Sequence, residues 1–186
     1  MEVAVLGGGH GCYAAAADAA EAGHSVRFWR RDADAFKPVL DSQSILLSDG
    51  KGRRDVALGL ATTDVAEAMD GAELILSPLP GIAQAGLADT IAPHLKGGQV
   101  VFIPPGTFGS YMMAKQVRDT GNKAAIAYGD AGTLPWLVRK QPDGSTRITT
   151  RTVRLPSGIF PARLSDHAFG LIEQVFAETE RRRDAL

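Results

Sequence analysis

The sequence predicts an α/β fold: a mainly parallel, doubly wound sheet with an antiparallel C-terminal extension. Three observations predict it. Short apolar runs and helical stretches alternate over roughly the first 130 positions, as parallel strands joined by crossover helices require. The first apolar run ends in a glycine-rich turn, Gly7-Gly8-Gly9-His10-Gly11-Cys12, followed by an alanine-rich stretch. From Thr133 onward the alternation gives way to two strand-like runs around a Gln141-Pro142-Asp143-Gly144 turn.

Taken in order, residues 2–6 form a short apolar run ending at glycine, as in a strand buried on both faces of a parallel sheet. Residues 13–22 read as helix, because alanine is the best helix former and Gly23 provides a stop. Residues 25–29 make the second strand and complete a βαβ unit. Residues 33–40 are expected to be a short helix despite Pro38, and residues 44–47 and 54–58 flank the Asp49-Gly50-Lys51-Gly52 signal for a hairpin. Asp64 caps a helix ending at Gly71, with Glu67 completing an Asp variant of the capping box. Residues 73–76 form a strand closed by Pro78 and Pro80, and Ile82, Leu87, Ile91 and Leu95 fall near one face of the helix after it. Residues 99–103 are the next strand, stopped by Pro104-Pro105-Gly106. Residues 108–120 read as helix and 124–128 as strand; residues 134–140 and 147–155 form an antiparallel pair, and residues 164–180 a final amphipathic helix.

Composition excludes several classes. With 186 residues the chain suits one sizeable domain that buries a core without staples. The 20 basic and 21 acidic residues nearly cancel, so no global field points to nucleic acid or an anionic membrane. One cysteine allows neither an intramolecular disulfide nor a cysteine zinc site, which fits a reducing compartment. Met1 runs directly into a strand with no leader or membrane-length apolar run, so the expected location is the cytoplasm.

Gly7 and Gly9 occupy the first two glycine places of the dinucleotide fingerprint of Rossmann-type folds, and the third place holds Cys12. Glycine first allows a tight turn, then lets a pyrophosphate approach the backbone; cysteine is small enough for the close helix-strand packing required at the third place. Free N–H groups at the helix start face the phosphates. The end of the second strand chooses between cofactors, an acid there favouring the ribose hydroxyl of NAD and an arginine the phosphate of NADP. Here it reads Trp29-Arg30-Arg31. Arg30 and Arg31 bind a 2'-phosphate in one reading, with an arginine plane on adenine. In the other they solvate a surface turn while Asp32 takes the hydroxyl. NADP(H) is favoured over NAD(H).

Three later stretches carry a family resemblance: Ala72-Glu73-Leu74-Ile75-Leu76-Ser77-Pro78-Leu79-Pro80, then Leu95-Lys96-Gly97-Gly98-Gln99-Val100-Val101-Phe102-Ile103-Pro104-Pro105-Gly106, then Thr133-Leu134-Pro135-Trp136-Leu137-Val138-Arg139. In this order and spacing, with the glycine turn, the chain resembles the N-terminal half of the octopine/nopaline (opine) dehydrogenase family, from residue 1 to about residue 175. The resemblance implies an NAD(P)H-dependent reductive condensation in which an amino acid and a 2-keto acid form an imine that takes hydride from the cofactor. It also implies a second, all-helical domain that supplies the catalytic histidine, beginning where this chain reaches Arg181-Arg182-Arg183-Asp184-Ala185-Leu186. The expectation is a nucleotide-binding half without turnover of its own and with no catalytic residue, either truncated or the product of a stand-alone gene; a homodimer is compatible with it. By the same resemblance Gly7, Gly9, His10, Gly11 and Cys12 line the pyrophosphate, although many relatives carry asparagine in place of His10. Pro78, Leu79 and Pro80 pass the ribose and nicotinamide, with Pro105, Gly106 and Thr107 as the equivalent next loop. The stretch from Thr133 to Arg139 faces the cleft, with Thr133 and Arg139 as candidates for the substrate, Arg139 through its carboxylate.

Other residues read as structural. His24, His94 and His167 lack zinc-ligand spacing. Met112 and Met113 suit packing, Arg147, Arg151 and Arg154 a solvated face, Cys12 tight packing rather than a reactive thiolate, and the terminal arginines a frayed helix end or a linker. Two alternatives stay open: the cofactor domain of a glycerol-3-phosphate dehydrogenase-like or ketopantoate reductase-like enzyme, and a non-catalytic dinucleotide sensor.

Overall fold

The computed structural model describes residues 1–182. The chain begins with β1 (Glu2–Leu6), α1 (His10–Glu21) and β2 (Ser25–Trp29). A turn of 3-10 helix leads into α2 (Lys37–Ser42), followed by the hairpin β3 (Ser44–Asp49) and β4 (Gly52–Ala57). Then come β5 (Leu60–Thr62), α3 (Val65–Met69), β6 (Leu74–Leu76), α4 (Gly81–Ile91), β7 (Val100–Ile103), α5 (Gly109–Asp119) and β8 (Ala127–Ala131). The last segment contributes β9 (Trp136–Lys140), β10 (Thr146–Arg151), β11 (Leu155–Phe160), α6 (Ser165–Val175) and β12 (Thr179–Arg181).

Eight strands form the main sheet in the order β12-β11-β8-β7-β6-β1-β2-β5. The run from β5 to β8 is parallel throughout, and the chain order reverses at β1, between β2 and β6. Such a reversal leaves a crevice outside the carboxyl ends of the strands. The antiparallel extension exists, but β11 provides it by pairing with β8. The predicted late hairpin, β9 with β10, lies instead in a second sheet ordered β4-β3-β10-β9, where Thr146 and Arg147 pair in parallel with Leu47 and Ser48.

The second sheet explains the composition of α1. Ala14, Ala15, Ala16 and Ala17 are all fully buried, and successive helix residues point about 100° apart, so the helix is covered on every side. It is sandwiched between the main sheet and the second sheet, and side chains no larger than alanine let both come close. Opposing charges clamp the layers. Arg151 donates to Asp18 at 2.6 and 2.8 Å and to Asp49 at 2.9 Å, Arg54 bridges Asp49 and Glu21, and Trp136 Nε1 donates to Asp18 at 2.6 Å. Arg151 is therefore a structural clamp rather than part of a solvated face; Arg154 pairs with Glu180.

Four further expectations are corrected. The last helix stops at Val175 and the chain turns back as β12 beside β11, so Arg181 ends a strand and pairs with Glu173; Arg183 lies outside the described residues. The strand expected at 124–128 begins three residues later, at Ala127. Ile82 is 95% exposed, while Leu87, Ala88 and Ile91 bury the inner face of α4. Asp64 does cap α3, accepting from the Ala66 and Glu67 N–H groups, but Glu67 does not reach back to it: the Thr62 hydroxyl accepts from the Asp64 N–H and donates to Glu67. Among the described residues no helix is long and apolar enough to cross a membrane.

Candidate dinucleotide-binding site

The glycine turn leaves β1 at the reversal point. Gly7 has φ 128°, a conformation that side chains resist, and a Cβ there would stand 2.6 Å from Leu79 Cδ2 and 2.9 Å from Cys12 Sγ. Its N–H donates to the Trp29 carbonyl at 2.9 Å, which ties the turn to the end of β2. Gly8 is covered by Arg30, whose Nε would meet a Cβ at 2.6 Å. Gly9 differs: its φ of −74° suits any residue, and a Cβ there meets no protein atom within 4 Å. Neither backbone nor packing demands glycine at position 9, the place where the fingerprint lets a ligand approach the backbone.

Helix α1 starts at His10, three residues earlier than predicted, with Gly9 as its N-cap and no acid in its first turn. Among the described residues the N–H groups of Gly8, His10 and Gly11 have no backbone acceptor, while the Gly9 N–H faces the Cys12 sulfur. Orphan donors at a helix start, with the positive end of its dipole, form an anion site. Cys12 is wholly buried beneath the turn, its thiol facing the Leu6 and Pro78 carbonyls, and burial pushes its pKa up to about 12. It is packing, and a thiolate is excluded at neutral pH.

The other predicted residues gather around this turn unevenly. Pro78 and Leu79 close on it from the end of β6, leaving a Gly11 Cβ only 3.1 Å from Pro78. Leu79, Pro80, Pro105, Gly106 and Thr107 line a cavity of about 460 Å³ between the starts of α4 and α5. Gly106 is required there by Asp130, whose Oδ1 would lie 1.7 Å from a Cβ. That buried carboxylate accepts from the Ser110 N–H at 2.9 Å and the Ser110 hydroxyl at 2.8 Å, and it anchors a loop in which Thr107 and Phe108 have positive φ. Arg30 donates to the Tyr13 phenol and the Ala35 carbonyl, both at 3.1 Å, while Arg31 is exposed. The Trp29 indole is not part of the crevice: it is buried on the other side of the sheet and donates to the Thr63 carbonyl, so only its backbone serves the turn. Thr133 is exposed between β8 and β9. Arg139 lies near the glycine turn, since the next residue, Lys140, donates its N–H to His10 Nδ1 at 2.8 Å. Burial first, then the charges of Arg139 and Lys140, lower the His10 pKa.

Tyr13, Lys140 and Asp130 were missed in the sequence. Tyr13 had a signal, as the one large side chain before a run of alanines. Lys140 and Asp130 had none, since each acts through a contact about 130 and 20 residues away in the chain. His24 and His167 donate to the carbonyls of Gln174 and Gly98, and no group of metal-binding side chains occurs among the described residues.

This fold and turn are of the Rossmann dinucleotide-binding type. No family model matches the chain. It is 27% identical over 94% of its length to an opine dehydrogenase of Arthrobacter sp. (strain 1C), of which it spans 49%. A shorter likeness, 34% identity over 54% of the chain, runs to 30% of a glycerol-3-phosphate dehydrogenase [NAD(P)+] of Nitratidesulfovibrio vulgaris (strain DP4). Octopine dehydrogenase solved with NADH and L-arginine superposes on 99% of the chain with TM-score 0.80 at 17% identity, through 49% of its own length. Yersinopine dehydrogenase with NADP+ bound covers all of the chain with TM-score 0.78 at 14% identity, through 48% of its own length. Within that class the likeness to opine dehydrogenase runs along almost the whole chain, which spans about half the length of that curated relative.

Proposed function

We propose that the chain binds NADP(H) as the cofactor half of an opine-type dehydrogenase, whose second, helical domain brings the catalytic histidine to an imine formed from an amino acid and a 2-keto acid. The observation that carries this reading is the glycine turn: three N–H groups without backbone acceptors at the reversal point of the sheet, beside Gly9, where a Cβ would stand in open space. Gly7, Gly9, His10, Gly11 and Cys12 form the pyrophosphate cradle; Pro78, Leu79, Pro80, Pro105 and Gly106 border the nicotinamide; Thr133 and Arg139 are left as substrate contacts. When bound, the reduced dinucleotide supplies the hydride. Preference for NADP is supported by what the residues after β2 already do. Arg30 lies across Gly8 and Arg31 is exposed, whereas Asp32 accepts the Ala35 N–H at 3.0 Å and would lose that bond in turning to a ribose hydroxyl. The reductive-condensation reading rests on the likeness to opine dehydrogenase along 94% of the chain, and the cytoplasm is the location assigned to it.

Calorimetric titration with NADPH and with NADH tests the reading. NADPH is expected to bind at least about ten-fold tighter, or roughly 1.4 kcal/mol. Equal affinities would overturn the NADP preference alone, and binding of neither at millimolar concentration would overturn the site. The chain by itself is expected not to oxidise NADPH in the presence of an amino acid and pyruvate; turnover would overturn the half-enzyme reading.

A further inference from the structure

Lys140 reaches the glycine turn from the second sheet. It ends β9, its backbone is fixed by the bond to His10, and its ammonium stands 4.0 Å from the centroid of the Tyr13 ring. Arg30, from the end of β2, rests on the phenol oxygen of the same ring at 3.1 Å. One aromatic side chain therefore carries two cations, Arg30 and Lys140, brought from distant parts of the chain. Among the described residues Lys140 has no ion pair, and Arg30 has one loose approach from Asp32 at 3.7 Å. Like charges held near each other repel, the exposed Asp32 offsets this only on the Arg30 side, and a bound anion lowers the remaining cost.

The position selects the anion. Tyr13 packs edge-on to Phe28 and Phe36, with ring centroids 5.0 and 6.4 Å away, and these two residues bracket the Trp29-Arg30-Arg31 loop. The two cations therefore flank the loop after β2, where the ribose 2' position of a dinucleotide falls, and not only the N–H groups that face the pyrophosphate. Resting on the dinucleotide reading above, we propose that Lys140 is a specificity-determining residue: with Arg30 it clamps the 2'-phosphate of NADP(H), and Tyr13 spaces the two cations.

The test is calorimetry of NADPH and NADH on the chain and on Lys140→Met, Lys140→Arg and Arg30→Ala. Methionine keeps the apolar stem over Tyr13 and the backbone bond to His10 while removing the charge; circular dichroism checks the fold. Lys140→Met is expected to weaken NADPH about ten-fold, the loss of one charge-assisted contact, with NADH within about two-fold and Lys140→Arg retaining the preference. Equal loss for both cofactors, or no loss for either, overturns the inference. If Arg30→Ala removes the preference and Lys140→Met keeps it, the NADP reading stands and the role of Lys140 falls. A wild-type chain without preference overturns both.

Discussion

Gly106 shows how a single hydrogen can hold a loop. With a Cβ placed 1.7 Å from Asp130 Oδ1, Gly106→Ala must push the carboxylate off the Ser110 N–H and hydroxyl. Loss of those bonds plus overpacking is expected to cost about 2–4 kcal/mol, read as a lower denaturant midpoint with unchanged slope; an unchanged midpoint would mean that the loop relaxes freely. Asp130 also has a definite pH signature. Burial, outweighing its hydrogen bonds to Ser110, raises its pKa. The folded state then holds the proton more tightly than the unfolded chain, so its contribution is full below the ordinary aspartate value of about 3.9 and is lost as pH rises through the raised folded pKa.

The second sheet stands or falls with its charged clamp on α1. The Asp49 side chain is 1% exposed and lies between Arg54 and Arg151. Hydrogen bonds from Arg54, ahead of those from Arg151, hold its carboxyl well below the usual carboxylate range. The sign is opposite to that of Asp130: the contribution is present above about pH 4 and is lost as pH falls through the depressed folded pKa. Asp49→Asn is expected to lower stability at pH 7 by about 1–3 kcal/mol, discounted for the solvent around the arginines. The deficit should shrink as pH is lowered towards 3. A deficit independent of pH would show that packing, not charge, was lost.

Over the whole molecule the two sheets share α1, and the buried core follows both of its sides. The two tryptophans sample the two parts, Trp29 under the main sheet and Trp136 in the second. Single-tryptophan variants, Trp29→Phe and Trp136→Phe, are expected to report one common urea midpoint once each is corrected for its own stability by far-UV dichroism. Separate midpoints would show that the second sheet melts alone. The strands up to β8, except β5, were legible in their chain order because period, glycine stops and proline ends are local properties of the chain, whereas the three residues of β5 are a strand only through pairing with β2. So was the glycine turn, since Gly7 to Cys12 carry their geometry within six positions. Short stretches also misled: the end of the last helix was hidden because residues 176–180 keep enough polarity and charge to continue it, and only pairing with β11 makes residues 179–181 a strand. The sequence by itself determined the open parallel sheet, the turn at its centre and the likeness to opine dehydrogenase. Only the tertiary structure decided that the two hairpins form one sheet over α1, that Trp29 turns inward, and that Lys140 and Asp130 reach the site, because each depends on which distant backbone or charge comes within a few ångströms, and no local pattern encodes that.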